Sequence, residues 1–282
     1  MATLAIRRRP IAVRIRESFL TILTWIIVLI VVFPVLWMIF TAFKNENDAA
    51  SIPPTIFVPL TVDNFANAFD RGIGLYFLNS IVASVLSTIL VMCLAIPAAY
   101  ALSIRPIHKW RDALFFFIST RFMPVAASII PVFMILKAIG GLDNIFALML
   151  LYVGMNLPIA VWMMRSFFSE VPMELVEAAQ IDGASLRVEM MKIVMPIVGP
   201  GIAAAGLICF IFAWNEYFLV SMITASAEAR TLPPFLASFV DGRGQFLAKM
   251  MAACTLAVIP VVAAGWLAQK RLVRGLAMGA IK

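Results

Sequence analysis

Few residues of this chain have the type and spacing that catalysis or metal binding requires. Its single histidine, His108, stands in a basic segment, and Cys93, Cys209 and Cys254 lie inside apolar runs without CxxC spacing. No GxxxxGK[ST] phosphate loop, HExxH zinc motif or GxSxG nucleophile motif occurs. The sequence therefore predicts a chain that is not an enzyme and that binds no metal and no cofactor itself.

Ionisable residues do occur inside apolar runs, and these are the candidates for a polar path. A charge at the centre of a membrane helix costs about 2.5 to 3.5 kcal/mol, so such residues usually face a cavity or a partner. Arg121 is close enough to one end of its run to extend towards a membrane surface, whereas Glu216 lies deeper. The candidates for a path that accepts a hydroxyl-rich ligand are Trp214, Asn215, Glu216, Thr120, Asn156 and Asn79. The alternative is that they form hydrogen bonds between packed helices, and both interpretations stay open.

The composition places these residues in a lipid bilayer. The chain of 282 residues is 63% hydrophobic, has a mean hydropathy of +1.01 and is 13% charged, whereas an ordinary soluble domain is roughly 25% charged. The net charge of +7 is typical of basic cytoplasmic loops in a membrane protein, and we do not expect a nucleic-acid partner. We predict an all-α polytopic membrane protein.

Six apolar windows are long enough to cross the hydrocarbon core, which takes about 20 residues. They cover residues 20–43, 77–102, 113–138, 145–165, 197–224 and 250–268. This predicts one six-helix transmembrane domain over residues 20–268, with an N-terminal tail over 1–19 and a C-terminal tail over 269–282. An even number of spans places both tails on the same side.

The distribution of basic residues predicts which side that is. The two tails and the even-numbered loops carry fifteen lysine and arginine residues, and the opposite segments carry six. Because basic loops stay in the cytoplasm, we expect both termini to be cytoplasmic.

The longest inner loop, about residues 166–196, predicts a helix, a tight turn and a second helix outside the membrane. Pro172 suits a first helical turn, and residues 173–180 are good helix formers. Gly183 stands where a helix would end in a left-handed residue. A second helical pattern then runs from Ser185 to Met195 and is expected to end before Pro196.

This loop resembles the EAA loop of permeases from binding-protein-dependent ABC importers. The triplet Glu177-Ala178-Ala179 is followed after three residues by Gly183, and ten residues later by Ile193 and then Pro196. The loop departs from the family at Met190 and Met195, where an aromatic residue and a leucine are frequent, but both methionines are apolar. A short amphipathic helix with two alanines offers a flat surface that can enter a groove.

The resemblance implies that this helix docks into a separate cytoplasmic ATPase and transmits its opening and closing. The residues it assigns to ATPase coupling are Glu177, Ala178, Ala179, Asp182, Gly183, Ala184 and Pro196. It further implies alternating access, in which ATP and Mg are used by the partner and not by this chain.

Other segments are similar to the carbohydrate-uptake branch of that family, the branch of the second permease of maltose-type systems. They are residues 79–80 (NS), 119–124 (STRFMP), 214–217 (WNEY) and 274–282 (RGLAMGAIK). The resemblance implies a bacterial inner-membrane permease for a sugar, polyol or sugar derivative. Its implied partners are two copies of an ABC ATPase, a homologous second permease and an extracytoplasmic solute-binding protein.

Three other interpretations compete with this one. An ABC importer permease for a non-sugar solute would share the same loop. A secondary transporter driven by an ion gradient often shows internal repeats, which this sequence lacks. A membrane-embedded enzyme would need clustered ligands or a nucleophile with a base.

Overall fold

The computed structural model describes residues 11–105, 107–122, 125–241 and 244–279, and most of them are helical. The helices are α1 (Ile11–Ala42), α2 (Glu46–Ala49), α3 (Asp63–Asp70), α4 (Ile73–Ser103), α5 (Trp110–Phe122), α6 (Val125–Ala138), α7 (Ile145–Phe168), α8 (Met173–Ile181), α9 (Leu186–Val188), α10 (Met195–Trp214), α11 (Phe218–Ile223), α12 (Leu232–Ala237) and α13 (Leu247–Gly279). A π-helical turn, Glu189–Val194, joins α9 to α10, and two-residue strands β1 (Val240–Asp241) and β2 (Gly244–Gln245) pair antiparallel. The all-α prediction is confirmed.

Five stretches of the described residues are helical, long and apolar enough to cross a membrane. They are Arg16–Ala42, Ile73–Ser103, Ile145–Phe168, Leu186–Trp214 and Leu247–Gln269. They correspond to five of the six predicted windows. The remaining window, 113–138, corresponds to the shorter helices α5 and α6, on either side of the undescribed residues 123 and 124.

Some predicted features lie outside the described residues. These are Arg7, Arg8 and Arg9, the pair Met123 and Pro124, Arg243 and the last three residues of the C-terminal motif.

The core is built around α4, which packs against both α7 and α10. One buried cluster includes Tyr100, Phe168 and Val198 and lies at the C-terminal ends of α4 and α7, the second of which leads into the α8 loop. A second cluster, with Tyr152 and Leu148, connects α7 to α11. The three spans therefore form the packed centre of the described structure.

The first span, α1, packs on α13 and leaves most of its apolar side chains exposed. Trp25 is 64% exposed and Ile30 is 67% exposed, which would be costly in water. Inside a bilayer the same side chains contact lipid, and a helix makes most of its backbone hydrogen bonds within its own segment. This surface fits a membrane-spanning helix.

The prediction that the fifth span continues to residue 224 was wrong. Helix α10 ends at Trp214, and residues 215–217 separate it from α11. The Glu216 carboxylate accepts a hydrogen bond from the backbone N–H of Leu219 at 2.6 Å. A side-chain acceptor at this position satisfies a free donor in the first turn of α11, so a new helix begins there.

The prediction that the second helix of the inner loop ends before Pro196 was also wrong. Helix α9 leads through the π-helical turn directly into α10, and Pro196 stands in the first turn of α10. Proline lacks the N–H that an α-helix would require there, and the wider π-helical turn before it accommodates that loss. The loop is therefore continuous with the fifth span.

Candidate functional site

Helix α8 is an exposed helix with one face attached to the core. Val176 is fully buried and Ala179 is 7% exposed, whereas Glu177 and Ala178 are exposed. The sequence interpretation gave both alanines to one flat docking surface, but Ala179 faces the protein. Of the three residues of the triplet, Glu177 and Ala178 are the two that remain exposed to a partner.

The turn after α8 has the geometry that the glycine predicts. Gly183 has φ +77°, in the left-handed region. The Ala184 N–H donates to the Ala179 carbonyl at 2.9 Å, and the Gly183 N–H donates to the Gln180 carbonyl at 3.1 Å. This pair of bonds is a Schellman motif, which ends the helix and turns the chain sharply. The left-handed glycine prediction is confirmed.

Asp182 and Gly183 both lie exposed at the tip of this turn, and Ala184 is half-buried. Apart from Gly183 itself and its two chain neighbours, no described residue has an atom within 4 Å of the position that a Gly183 Cβ would occupy. The structure thus brings Glu177, Ala178, Asp182 and Gly183 together on one protruding surface. Pro196 lies beyond the π-helical turn, at the start of α10.

A buried carboxylate beneath α8 was missed by the sequence analysis. Glu189 is completely buried, and its Oε1 accepts the Tyr100 hydroxyl hydrogen bond. Its Oε2 accepts bonds from Arg105 Nη2 at 2.7 Å and Gln180 Nε2 at 3.3 Å. A signal was available, because Glu189 is the only acidic residue between Asp182 and Glu216 in a mostly apolar stretch.

The six residues predicted to line a path are not brought together as one group. Trp214 and Asn215 line a groove of about 400 Å³ with Met38 and residues of α12 and α13. Glu216 follows them in the break between α10 and α11. Among the predicted path residues, those of the WNEY segment are therefore the ones that line or adjoin an open groove.

Thr120 and Asn156 lie elsewhere and have local partners. The Thr120 hydroxyl donates to the Phe117 carbonyl at 2.7 Å, within its own helix. Asn156 is buried between α7 and α10, and its Nδ2 lies 3.5 Å from the Cys209 carbonyl. Their role in a path stays a prediction.

Arg121 contacts neighbouring helices. Its Nη1 donates to the Met155 carbonyl of α7 at 3.1 Å, and its guanidinium carbon lies 5.2 Å from the centre of the Phe212 ring of α10. Arg121 thus forms an interhelical hydrogen bond, the structural alternative to a place in a polar path.

Asn79 anchors the segment that follows α11. Its Nδ2 lies within hydrogen-bond distance of the carbonyls of Ala227, Glu228 and Arg230, at 2.9, 3.1 and 2.9 Å. The neighbouring Ser80 Oγ accepts the Leu232 N–H at 2.7 Å. In this structure Asn79 holds a loop in place.

Asp143 holds the same loop from the α6 to α7 connection. Its Oδ1 accepts the N–H groups of Ala225 and Ser226 at 2.8 and 2.9 Å. These two backbone hydrogen bonds favour the charged carboxylate, so they lower the pKa of Asp143 below its ordinary value.

Asp143→Ala is expected to raise the hydrogen-exchange rates of the Ala225 and Ser226 amides by about tenfold, because each loses its acceptor. The matched control is Asp143→Asn, which keeps an acceptor oxygen and tolerates the left-handed φ of +55° at this position. Exchange measured by mass spectrometry in detergent is the readout. Equal protection in the two variants would contradict the loop contact.

The same contact sets a pH dependence. Because the folded-state pKa of Asp143 is lowered, its stabilising contribution is present at neutral pH and is lost as pH falls through that lowered value. Protection of the two amides in the unmodified protein is therefore expected to persist below the ordinary pKa range of aspartate. In Asp143→Asn this pH-dependent step should be absent.

Glu216→Ala is expected to reduce uptake, because it removes the acceptor for the Leu219 N–H at the start of α11. The protein is expected to remain assembled. Loss of such a cap costs about 1 kcal/mol. Glu216→Gln keeps an acceptor oxygen without the charge, so comparing the two variants separates helix capping from a need for charge. Normal uptake by Glu216→Ala in a reconstituted system would reject its assignment to the transport path.

The structure described so far has packed helices that are long enough to span a membrane and an exposed helical loop, and its described residues include no cluster of side chains that could hold a metal ion. Residues 92–278 match the family described as the binding-protein-dependent transport system inner membrane component. The chain belongs to this family of ABC transporter permeases and is a multi-pass inner-membrane protein.

Individual proteins agree with the family match over nearly the whole chain. The sulfoquinovosyl glycerol transport system permease protein SmoH of Agrobacterium fabrum is 32% identical and aligns over 89% of this chain and 88% of its own length. The diacetylchitobiose uptake system permease protein DasC of Streptomyces coelicolor is 32% identical over 89% of this chain and 92% of its own.

The fold is also similar to that of a solved transporter. A chain from the crystal structure of a bacterial ABC transporter involved in the import of the acidic polysaccharide alginate superimposes with a TM-score of 0.73. The match covers 93% of this chain and 98% of that chain, at 21% sequence identity. The ABC permease fold predicted from the sequence is confirmed.

Proposed function

We propose that this chain is a membrane subunit of an ATP-driven importer for a carbohydrate, and that α8 docks it to a separate ATPase. The observation that carries the proposal is the exposed α8 helix, ended by a left-handed glycine and attached to the three central spans through Val176 and Glu189. A helix that protrudes from a rigid core can enter a groove of a partner and transmit its motion.

The ATPase supplies the energy in this proposal. ATP and Mg are bound and used by two copies of that partner, and this chain contributes no group to hydrolysis. A second, homologous permease completes the path, and a solute-binding protein delivers the ligand. The last of these partners is supported directly by the family to which the chain belongs.

Both termini and the α8 loop lie in the cytoplasm in this proposal. The excess of basic residues in the tails and in the loops on the α8 side supports that orientation. The ATPase then meets α8 on the side where ATP is available.

The proposed ligand is a sugar, a polyol or a sugar derivative. It is supported by the relatives that transport sulfoquinovosyl glycerol and take up diacetylchitobiose. The WNEY segment, with an exposed amide at Asn215 beside the Trp214 ring, offers hydrogen-bonding and aromatic groups of the kind that sugars require.

The proposed mechanism is alternating access. Closure of the ATPase pair on ATP moves α8 of this chain and the corresponding loop of the second permease together. The central spans α4, α7 and α10 follow because they form one packed unit, and the path opens to the outside. Hydrolysis returns the subunits to the inward-facing state.

The test is to purify the tagged chain with its native partners in mild detergent, identify them, and measure which ligand the binding protein holds. We expect an ABC ATPase, a second permease and a carbohydrate-loaded binding protein. Absence of an ATPase would contradict the proposal, and a non-sugar ligand would overturn only the carbohydrate part. Uptake by the purified chain alone on an ion gradient would favour a secondary transporter.

A further inference from the structure

The hydrogen bonds to Glu189 come from three separate segments of the chain. Tyr100 belongs to α4, Arg105 follows α4, and Gln180 belongs to α8. Their positions are 89, 84 and 9 residues from Glu189 in the sequence. One buried side chain therefore connects the exposed helix, a central span and the connection that follows that span.

This connection differs in kind from the apolar contact that also attaches α8. Val176 packs on a cluster with Phe168 and Val194, and such contacts have no strong directional preference. A buried carboxylate must keep its donors in place, because an unpaired buried charge is far more costly than a small shift of an apolar side chain. Glu189 thus fixes the orientation of α8, whereas Val176 fixes its distance from the core.

The backbone of Glu189 adds a third connection. It is the first residue of the π-helical turn that leads into α10, so a movement transmitted to Glu189 reaches the fifth span through the main chain. π-helical turns within longer helices frequently occur at functional sites. The side chain and the backbone of one residue together join α8, α4 and α10.

We propose that Glu189 is a positioning residue for energy coupling: it holds α8 to α4 and α10, so that displacement of α8 by the ATPase moves both spans together. This inference rests on the proposed function, since it concerns how a docked ATPase drives the spans. Without these bonds α8 would still dock to the ATPase. It would then rotate against the core, and less of its displacement would reach α4 and α10.

The test compares three substitutions in the complete complex, reconstituted in proteoliposomes. Gln180→Ala removes the bond that comes from α8 and leaves the buried contacts of Glu189 with Tyr100 and Arg105. Glu189→Gln removes the charge, and Glu189→Asp keeps it on a shorter side chain. The matched control is Glu170→Gln, which removes an exposed carboxylate just before α8.

The readout is the amount of solute taken up per ATP hydrolysed, measured with the ligand that the binding protein holds. Gln180→Ala is expected to lower this ratio by about threefold, and Glu189→Gln by about tenfold, while ATP hydrolysis continues. Glu189→Asp should recover part of the ratio, and Glu170→Gln should match the unmodified complex. A purely structural role would lower the amount of assembled complex without changing uptake per ATP in what assembles.

Retention of the unmodified ratio by Gln180→Ala and by any assembled Glu189→Gln would overturn the role of Glu189. If Glu189→Gln does not assemble, the ratio measured for Gln180→Ala decides. An unmodified complex that shows no ATP-driven uptake would overturn the proposed function itself. The two failures are therefore distinguishable.

Discussion

Gly183→Val is expected to reduce ATP-coupled uptake by at least about tenfold, because valine is strained in the left-handed conformation that this turn requires. The backbone φ at Gly183 is +77°, and the Schellman bonds of Gly183 and Ala184 depend on it. Beyond the two chain neighbours, the added Cβ would contact no atom in the described part of the chain. The effect therefore comes from a distorted turn and from a side chain that protrudes towards the docked partner.

The matched control is Gly183→Asn, since asparagine accepts the left-handed region more readily than other non-glycine residues. Uptake in proteoliposomes and recovery of the ATPase on the tagged chain are measured for both variants. We expect Gly183→Asn to keep the turn and to lose less coupling than Gly183→Val. Unchanged coupled uptake and unchanged ATPase recovery in Gly183→Val would count against α8 as the docking element.

Gly201→Ala is expected to lower the free energy of unfolding by about 3 kcal/mol, the upper part of the range for overpacked cores. Gly201 lies in α10, where an added Cβ would be 2.8 Å from the Cβ of Phe167 in α7 and closer still to its ring. Because such a separation is not tolerated, α7 and α10 must move apart or Phe167 must change its rotamer. Either change disturbs the central packing that supports α8.

Gly199 provides the matched control within the same helix. Beyond its chain neighbours and the nearby backbone of its own helix, no described atom lies within 4 Å of its added Cβ, so Gly199→Ala should be neutral or stabilising by up to about 1 kcal/mol through helix propensity. Thermal unfolding in detergent compares the two variants directly. A Gly201→Ala protein as stable as Gly199→Ala would contradict the close packing of α7 on α10.

Much of the architecture could be predicted from the sequence because the governing forces are local or depend on composition. An apolar run of about 20 residues needs lipid and internal hydrogen bonds, which identifies spans without knowledge of their neighbours. The same holds for α8 and its turn, since helix propensity over residues 173–181 and the glycine at 183 act within a few residues. The limits of α4 and α7 differ from the predicted windows by only a few residues at each end.

The break after Trp214 shows where hydropathy is insufficient. Residues 197–224 are mostly apolar, and Asn215 and Glu216 are too few to lower the mean hydropathy of the window. Hydropathy alone therefore predicts one helix over the whole window. In the structure α10 ends at Trp214. The Glu216 carboxylate then accepts a hydrogen bond from the Leu219 N–H, and a separate helix, α11, begins. The sequence shows that a glutamate stands at position 216, but it does not show whether that glutamate caps a helix or lines a path.

The polar residues of the spans could be recognised but not assigned. An isolated Asn79 or Arg121 in an apolar run indicates a polar partner, without indicating which one. The partners are backbone carbonyls that come from a distant loop for Asn79 and from α7 for Arg121. Only the packing of the helices brings those carbonyls within reach.

The sequence by itself determined that this chain spans a membrane, that a helix and a left-handed glycine form its inner loop, and that it has no recognisable catalytic motif. These depend on hydropathy, local propensity and residue identity. The tertiary structure alone decided that Ala179 faces inward, that the loop continues into the fifth span, and that Glu189 joins α8 to α4. The physical reason is that a buried hydrogen bond is defined by donors and acceptors from distant segments, and their proximity exists only after the spans have packed.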